Sequence, residues 1–138
     1  MDAIIGSLSG LSGFALYFVS AIVLLLGFKF LYALVTPHDE WRLVKEDKNQ
    51  AAAVGFAGAI IGFALALGSA AEHSVSIVDF WVWGVVALLA QLCAFAMVRF
   101  IFMPKIVSRI NNNEVSAGIM LGGISVAVGI LNAACMTY

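Results

Sequence analysis

The stretch "NQAAAVGFAGAIIGFALALGSAA", Asn49 to Ala71, contains no charged residue. A helix rises 1.5 Å per residue, so crossing a hydrocarbon core of about 30 Å takes about 20 apolar residues. This stretch meets that length. Nothing around it suggests a soluble alternative. The chain has 138 residues, 63% apolar and 11% charged, whereas soluble domains are about 45–50% apolar and about 25% charged. A small soluble fold leaves too much surface exposed to hide that much hydrocarbon. The bilayer must serve as the solvent for most of the chain.

Three further segments meet the same criterion: Gly13 to Val35, Phe80 to Met103, and Val115 to Cys135. With Ala51 to Ala71 they predict four spans. Lys29 and Arg99 each lie near the end of a span, where a long side chain snorkels to the interface. The expected fold is an all-α integral membrane protein, one domain over residues 1–138 with four transmembrane helices in a compact bundle. No Lys or Arg precedes the first apolar run, and a cleaved secretory signal needs a basic leader. That run is expected to be kept as a span.

The opening stretch has a counterpart. "NEVSAGIMLGGISVAVGILNAAC" runs from Asn113 to Cys135. In register, Asn49 meets Asn113, Ala53 meets Ala117, Gly58 meets Gly122 and Ala70 meets Ala134. A proline, Pro37 or Pro104, opens the segment before each. The expectation is two tandem helical hairpins, about residues 10–72 and 79–136. Parallel repeats of this kind are related by a pseudo-two-fold axis along the membrane normal. The competing account is that two Ala/Gly-rich helices resemble each other by composition alone.

All seven Lys and Arg residues lie in or beside two loops: Lys29, Arg42, Lys45 and Lys48 at the first, Arg99, Lys105 and Arg109 at the third. The positive-inside rule then predicts that these loops face the cytoplasm and both termini the outside. The net charge of −1 does not suggest nucleic acid as a partner.

Between the first two spans stands "TPHDEW", Thr36 to Trp41. Thr36 suits an N-cap, Pro37 a first helical position and Asp39 the third-residue place of a capping box. Trp41 suits a membrane interface. The segment is expected to be a short interfacial helix, with Trp41 and Val44 toward lipid and Arg42, Lys45 and Lys48 toward water or lipid phosphates. The rival reading makes His38, Asp39 and Glu40 metal ligands. Adjacent helical residues point apart, which disfavours it.

Inside the membrane, small and polar residues promote helix association. Gly58 and Gly62, and Gly118 and Gly122, form two GxxxG pairs and are expected to be helix-packing positions. The seam on the first span would be Gly13, Tyr17, Ser20, Leu24 and Gly27. Ser20, Gln91, Ser125 and Asn132 form a candidate intramembrane polar seam. Polar groups in lipid need partners or water, so they would make either a closed hydrogen-bonded core or a polar cavity. No ionisable residue sits at mid-span, where an ion-coupled pump usually carries one. Glu72, His73 and Asp79 crowd the outer loop. They read as solvated charge, with His73 a pH sensor if a carboxylate stands beside it. Cys93 and Cys135 lie at different depths, out of disulfide reach. No Walker loop, GxSxG or HExxH is present. No catalytic residue, metal site or cofactor is expected.

Three stretches carry a family resemblance: "VTPHDEWRLVK", "AAAVGFAGAIIG" and the closing "NAACMTY". Together the chain resembles the YjfL family, small bacterial inner-membrane proteins with a domain of unknown function. The resemblance covers nearly the whole chain. It implies a four-span inner-membrane protein with interfacial Trp41 and Tyr138, and a setting beside phage-shock-like coat proteins and polyamine- or glutathionylspermidine-related ligases. It implies no catalytic residues. The function expected is a non-enzymatic membrane anchor or scaffold, homo-oligomeric through a small-residue face. Trp41, Arg42, Lys45, Lys48, Lys105 and Arg109 would dock a cytoplasmic envelope-stress partner. The alternative is a small oligomeric channel or transporter for ions or small cations, lined by the polar seam.

Overall fold

A computed structural model describes residues 2–36 and 40–136, apart from the side chains of Glu40 and Trp41. The elements are α1 (Asp2–Ser9), α2 (Leu11–Val35), α3 (Glu40–Lys45), α4 (Gln50–His73), α5 (Ile77–Met97), a π-helical turn (Val98–Phe102), α6 (Ile106–Asn111) and α7 (Val115–Cys135). No strand occurs among the described residues. Four helices are long and apolar enough to cross a membrane: Asp2–Val35, Gln50–His73, Ile77–Phe102 and Val115–Cys135.

The first of these is longer than its apolar run suggests. Its 34 residues span about 50 Å at 1.5 Å per residue, against a hydrocarbon core of about 30 Å. Helicity passes through Gly10, which keeps right-handed backbone angles. No residue of α1 is buried, so α1 extends α2 without packing on the bundle. The third span starts at Ile77, earlier than hydropathy indicates, because two side chains cap it. Ser76 Oγ accepts the Asp79 N–H at 3.2 Å, and Asp79 Oδ2 accepts the Val75 N–H at 3.1 Å. Acceptors there satisfy donors that a helix start leaves open.

The centre of the bundle is the α4–α7 pair. Ala51 lies against Gly118, Gly58 against Gly122, and Gly62 against Ser125 and Gly129. Ser69 Oγ donates to the Ala133 carbonyl at 2.9 Å further along. The two helices therefore run in the same direction. At Gly58, Gly62, Gly118 and Gly129 an added Cβ would collide with backbone of the facing helix. Such close approach is how helices associate where lipid supplies no hydrophobic drive.

α5 lies beside both members of the pair. α2 joins through an aromatic face. Phe28 stacks on Phe63 at 4.6 Å, and Tyr32 meets Phe56 at 5.9 Å and Phe95 at 5.8 Å. Its buried residues are Ser20, Leu24, Phe28 and Tyr32, a single stripe at intervals of four. Of the seam read from sequence, Ser20 and Leu24 lie on this stripe and Tyr17 packs against the core, while nothing approaches the Cβ positions of Gly13 and Gly27. Large aromatic side chains, not glycines, set this helix's spacing from the bundle.

Candidate functional site

The cation-bearing loops are built as one piece. α6 ends in a Schellman motif. Asn113 takes φ 56°, its N–H reaches the Ile110 carbonyl at 2.9 Å, and the Glu114 N–H reaches the Arg109 carbonyl at 3.0 Å. Asparagine tolerates this left-handed conformation better than most residues. Lys48 makes the corresponding reversal before α4, at φ 49°. There the Asn49 N–H reaches the Leu43 carbonyl at 2.8 Å.

Two asparagines then bond the loops together. Buried Asn49 caps α4, its Oδ1 accepting the Ala52 N–H at 2.8 Å, while its Nδ2 donates to the Ile110 carbonyl at 2.8 Å. Asn113 Oδ1 accepts the Ala51 N–H at 3.0 Å. The start of α4 is thus capped from both loops. In the sequence these asparagines stood out only as matching repeat positions.

On this frame Arg42, Lys45, Lys48 and Lys105 are exposed and Arg109 is half-buried. Leu43 and Val44 pack on the core, so Val44 turns toward protein rather than toward lipid. Arg42 faces Glu46 at 3.6 Å. Arg109 donates from Nε to Glu114 Oε2 at 3.0 Å and from Nη2 to Ser116 Oγ at 3.3 Å. Two of the cations are thus partly neutralised within their own loops. The Thr36 hydroxyl donates to the Tyr32 carbonyl at 2.9 Å, closing α2. Pro37, His38 and Asp39, the side chain of Trp41, and Tyr138 lie outside the described residues, and the capping box and interface anchors read there go with them.

The polar seam divides into separate places. Ser20 is buried between α2 and α5, accepting the Trp81 indole N–H at 3.1 Å. Gln91 and Ser125 flank Gly62. The position of a Gly62 Cβ would lie 3.0 Å from Gln91 Nε2 and in collision with the Ser125 carbonyl oxygen. Both residues are 1% exposed. Neither the Gln91 amide nor the Ser125 hydroxyl has a hydrogen-bond partner among the described residues, nor does Asn132 Nδ2. A buried amide without a partner costs free energy in hydrocarbon. At the other end, His73 folds back on its own helix, with Nδ1 2.9 Å from the Ser69 carbonyl. Among the described residues no three His, Cys, Asp or Glu side chains converge as metal ligands. Cys93 and Cys135 are free thiols.

A bundle with four helices long and apolar enough to cross a membrane belongs to the class of small polytopic membrane proteins. Residues 6–136 match the family model "Domain of Unknown Function (DUF350)", and the chain belongs to that family. It is similar to the UPF0719 inner membrane protein YjfL of Escherichia coli strain K12, with 42% identity over 131 residues, 95% of this chain and 98% of the relative. The same protein from Escherichia coli O157:H7 matches equally. No solved structure matches.

Proposed function

We propose that this chain is a non-enzymatic anchor of the bacterial inner membrane, with both termini periplasmic and loops one and three presenting a single cytoplasmic docking face. The observation that carries the reading is the pair of asparagine bonds, Asn49 to Ile110 and Ala51 to Asn113, which hold the two cation-bearing loops together. A rigid, preformed face binds without first ordering itself. Supporting the location are the relative's description as an inner membrane protein and the complete segregation of Lys and Arg. Lys45, Lys48 and Lys105 are the exposed cations to test, since Arg42 and Arg109 have acidic neighbours. The partner would be an acidic envelope-stress protein.

The tandem repeat belongs to the same proposal. Gly58 and Gly122, equivalent in the aligned halves, lie against each other, as residues near a two-fold axis do. Association of copies would use glycines that still face outward, such as Gly13, Gly68 and Gly123.

Photo-crosslinking from positions 45 and 105 in intact cells tests the face. The expected result is a discrete protein adduct, lost in a Lys45→Glu/Lys48→Glu/Lys105→Glu variant that still inserts. An unchanged adduct, or none, rejects docking through these cations.

A second reading is favoured by one feature, the unpartnered Gln91 amide and Ser125 hydroxyl at mid-span. If they line an ion or small-cation pathway, purified protein in liposomes should conduct and Gln91→Leu should not. If they form a closed core, Gln91→Leu removes an unsatisfied buried group and should raise thermal stability by about 1 kcal/mol.

A further inference from the structure

At the third loop lies a pocket that shares Lys105 with the docking face and is otherwise built from residues that face does not use. It occupies about 500 Å³ and is lined by Arg99, Lys105, Ser108, Asn111 and Asn112, with no acidic side chain among the residues around it. Arg99 is half-buried and Lys105 exposed. Neither forms an ion pair among the described residues, in contrast to Arg109 with Glu114. The Arg99 guanidinium carbon lies 5.3 Å from the centre of the Phe100 ring.

The backbone is unusual at the same place. Residues Val98–Phe102 form the π-helical turn, closed by the Met103 N–H on the Val98 carbonyl at 2.7 Å. Such turns are frequent at functional sites. The residues following Arg99 on this turn are apolar and outward-facing: Phe100 and Ile101 are each 70% exposed and Phe102 53%. A hydrocarbon-facing surface and a carboxylate-free pocket with two cations therefore meet at one level of the chain.

We propose that this pocket binds the headgroup of an acidic glycerophospholipid. Arg99 and Lys105 would take the phosphate through charge-assisted hydrogen bonds, and Ser108, Asn111 and Asn112 the glycerol hydroxyls. The acyl chains would lie over Phe100, Ile101 and Phe102. Basic pockets at the ends of membrane helices have this selectivity because an ammonium-bearing headgroup brings its own cation into the field. A free phosphate shares the headgroup's chemistry but gains nothing from the apolar flank. The proposal does not depend on which leaflet the pocket faces, nor on a protein partner.

The test is native mass spectrometry of the purified full chain, titrated with phosphatidylglycerol or phosphatidylcholine. Retention of phosphatidylglycerol over phosphatidylcholine is expected. Affinity should fall about fivefold for each cation removed in Arg99→Gln and Lys105→Gln. Asn111→Asp, at an exposed position outside the spans, should also weaken binding and guards against misfolding of the Arg99 variant. Lys45→Gln/Lys48→Gln removes as much charge from loop one and should leave retention unchanged. Equal retention of the two lipids overturns the proposal, as does equal weakening by the loop-one pair, which would mean a diffuse basic face. Displacement of the lipid by millimolar inorganic phosphate overturns the lipid assignment in favour of free phosphate.

Discussion

Glycines in this protein divide by what stands opposite them. At Gly58 and Gly129 the neighbour is backbone of the facing helix, which cannot rotate away. Alanine there should cost about 2 kcal/mol through forced separation of α4 and α7. At Gly84 the nearest atom is Leu24 Cδ1, 2.6 Å from the Cβ position, and it is the end of a flexible side chain. Gly84→Ala should therefore cost less, with Leu24 changing rotamer. Nothing approaches the Cβ position of Gly68, and alanine there should be neutral or slightly stabilising, since glycine is the weaker helix former. Thermal unfolding in detergent should rank the variants in that order. A Gly84→Ala loss matching that of Gly58→Ala would mean that backbone contact is not what distinguishes these positions.

The helix ends carry a second kind of contrast. Asn49→Ala removes the acceptor for the Ala52 N–H and one of the two donors to the Ile110 carbonyl, the Asn113 N–H remaining, a loss of about 1 kcal/mol. Asn113→Gly keeps the left-handed turn and loses only the Ala51 bond, so it should be milder than Asn113→Ala, which loses both. Chemical denaturation of the two Asn113 variants checks this ordering. The elements themselves were largely legible. Apolar runs of adequate length, two of them charge-free and two with a single cation near the end, give all four spans, and the fourth ends where hydropathy places it, at Val115 and Cys135. Boundaries set by capping were not, as the early start of α5 at Ser76 and Asp79 illustrates. Nor was the π-helical turn: it closes the third span at Met103, leaving no further helix in which its phase shift of the apolar pattern could show. For α2, Ser20 and Leu24 mark the contact face, which continues through Phe28 and Tyr32 rather than through Gly27. Gln91 and Ser125 stood out as mid-span polar residues. That their hydrogen-bonding groups lack partners depends on three-dimensional packing that spacing does not encode.

At the scale of the whole molecule, the bundle is a tight pair with two looser helices. α4 and α7 touch backbone to backbone, whereas α2 leaves an apolar cavity of about 260 Å³ against α4, lined by Ile22, Leu25, Ala64 and Leu67. The attachments of α2 include the Phe28 and Tyr32 rings, the Tyr17 ring on Phe80 and the Ser20–Trp81 bond. Phe28→Ala should therefore loosen α2 preferentially. Hydrogen exchange, or protease access to the loop after α2, should rise while α4 and α7 stay protected. Uniform loss of protection would show that α2 is integral to one cooperative unit.

The parallel contact of α4 with α7 also has a temporal side. α4 leaves the ribosome well before α7, with all of α5 made in between. During that interval its glycine-lined backbone has only lipid or the insertion machinery to face. The half-made chain is therefore a natural substrate for membrane proteases, and completing the last helix marks the moment at which the protein becomes durable. A chain ending at Asn112 should be inserted yet short-lived in a pulse-chase. Supplying Asn113–Met136 as a separate polypeptide should lengthen its lifetime.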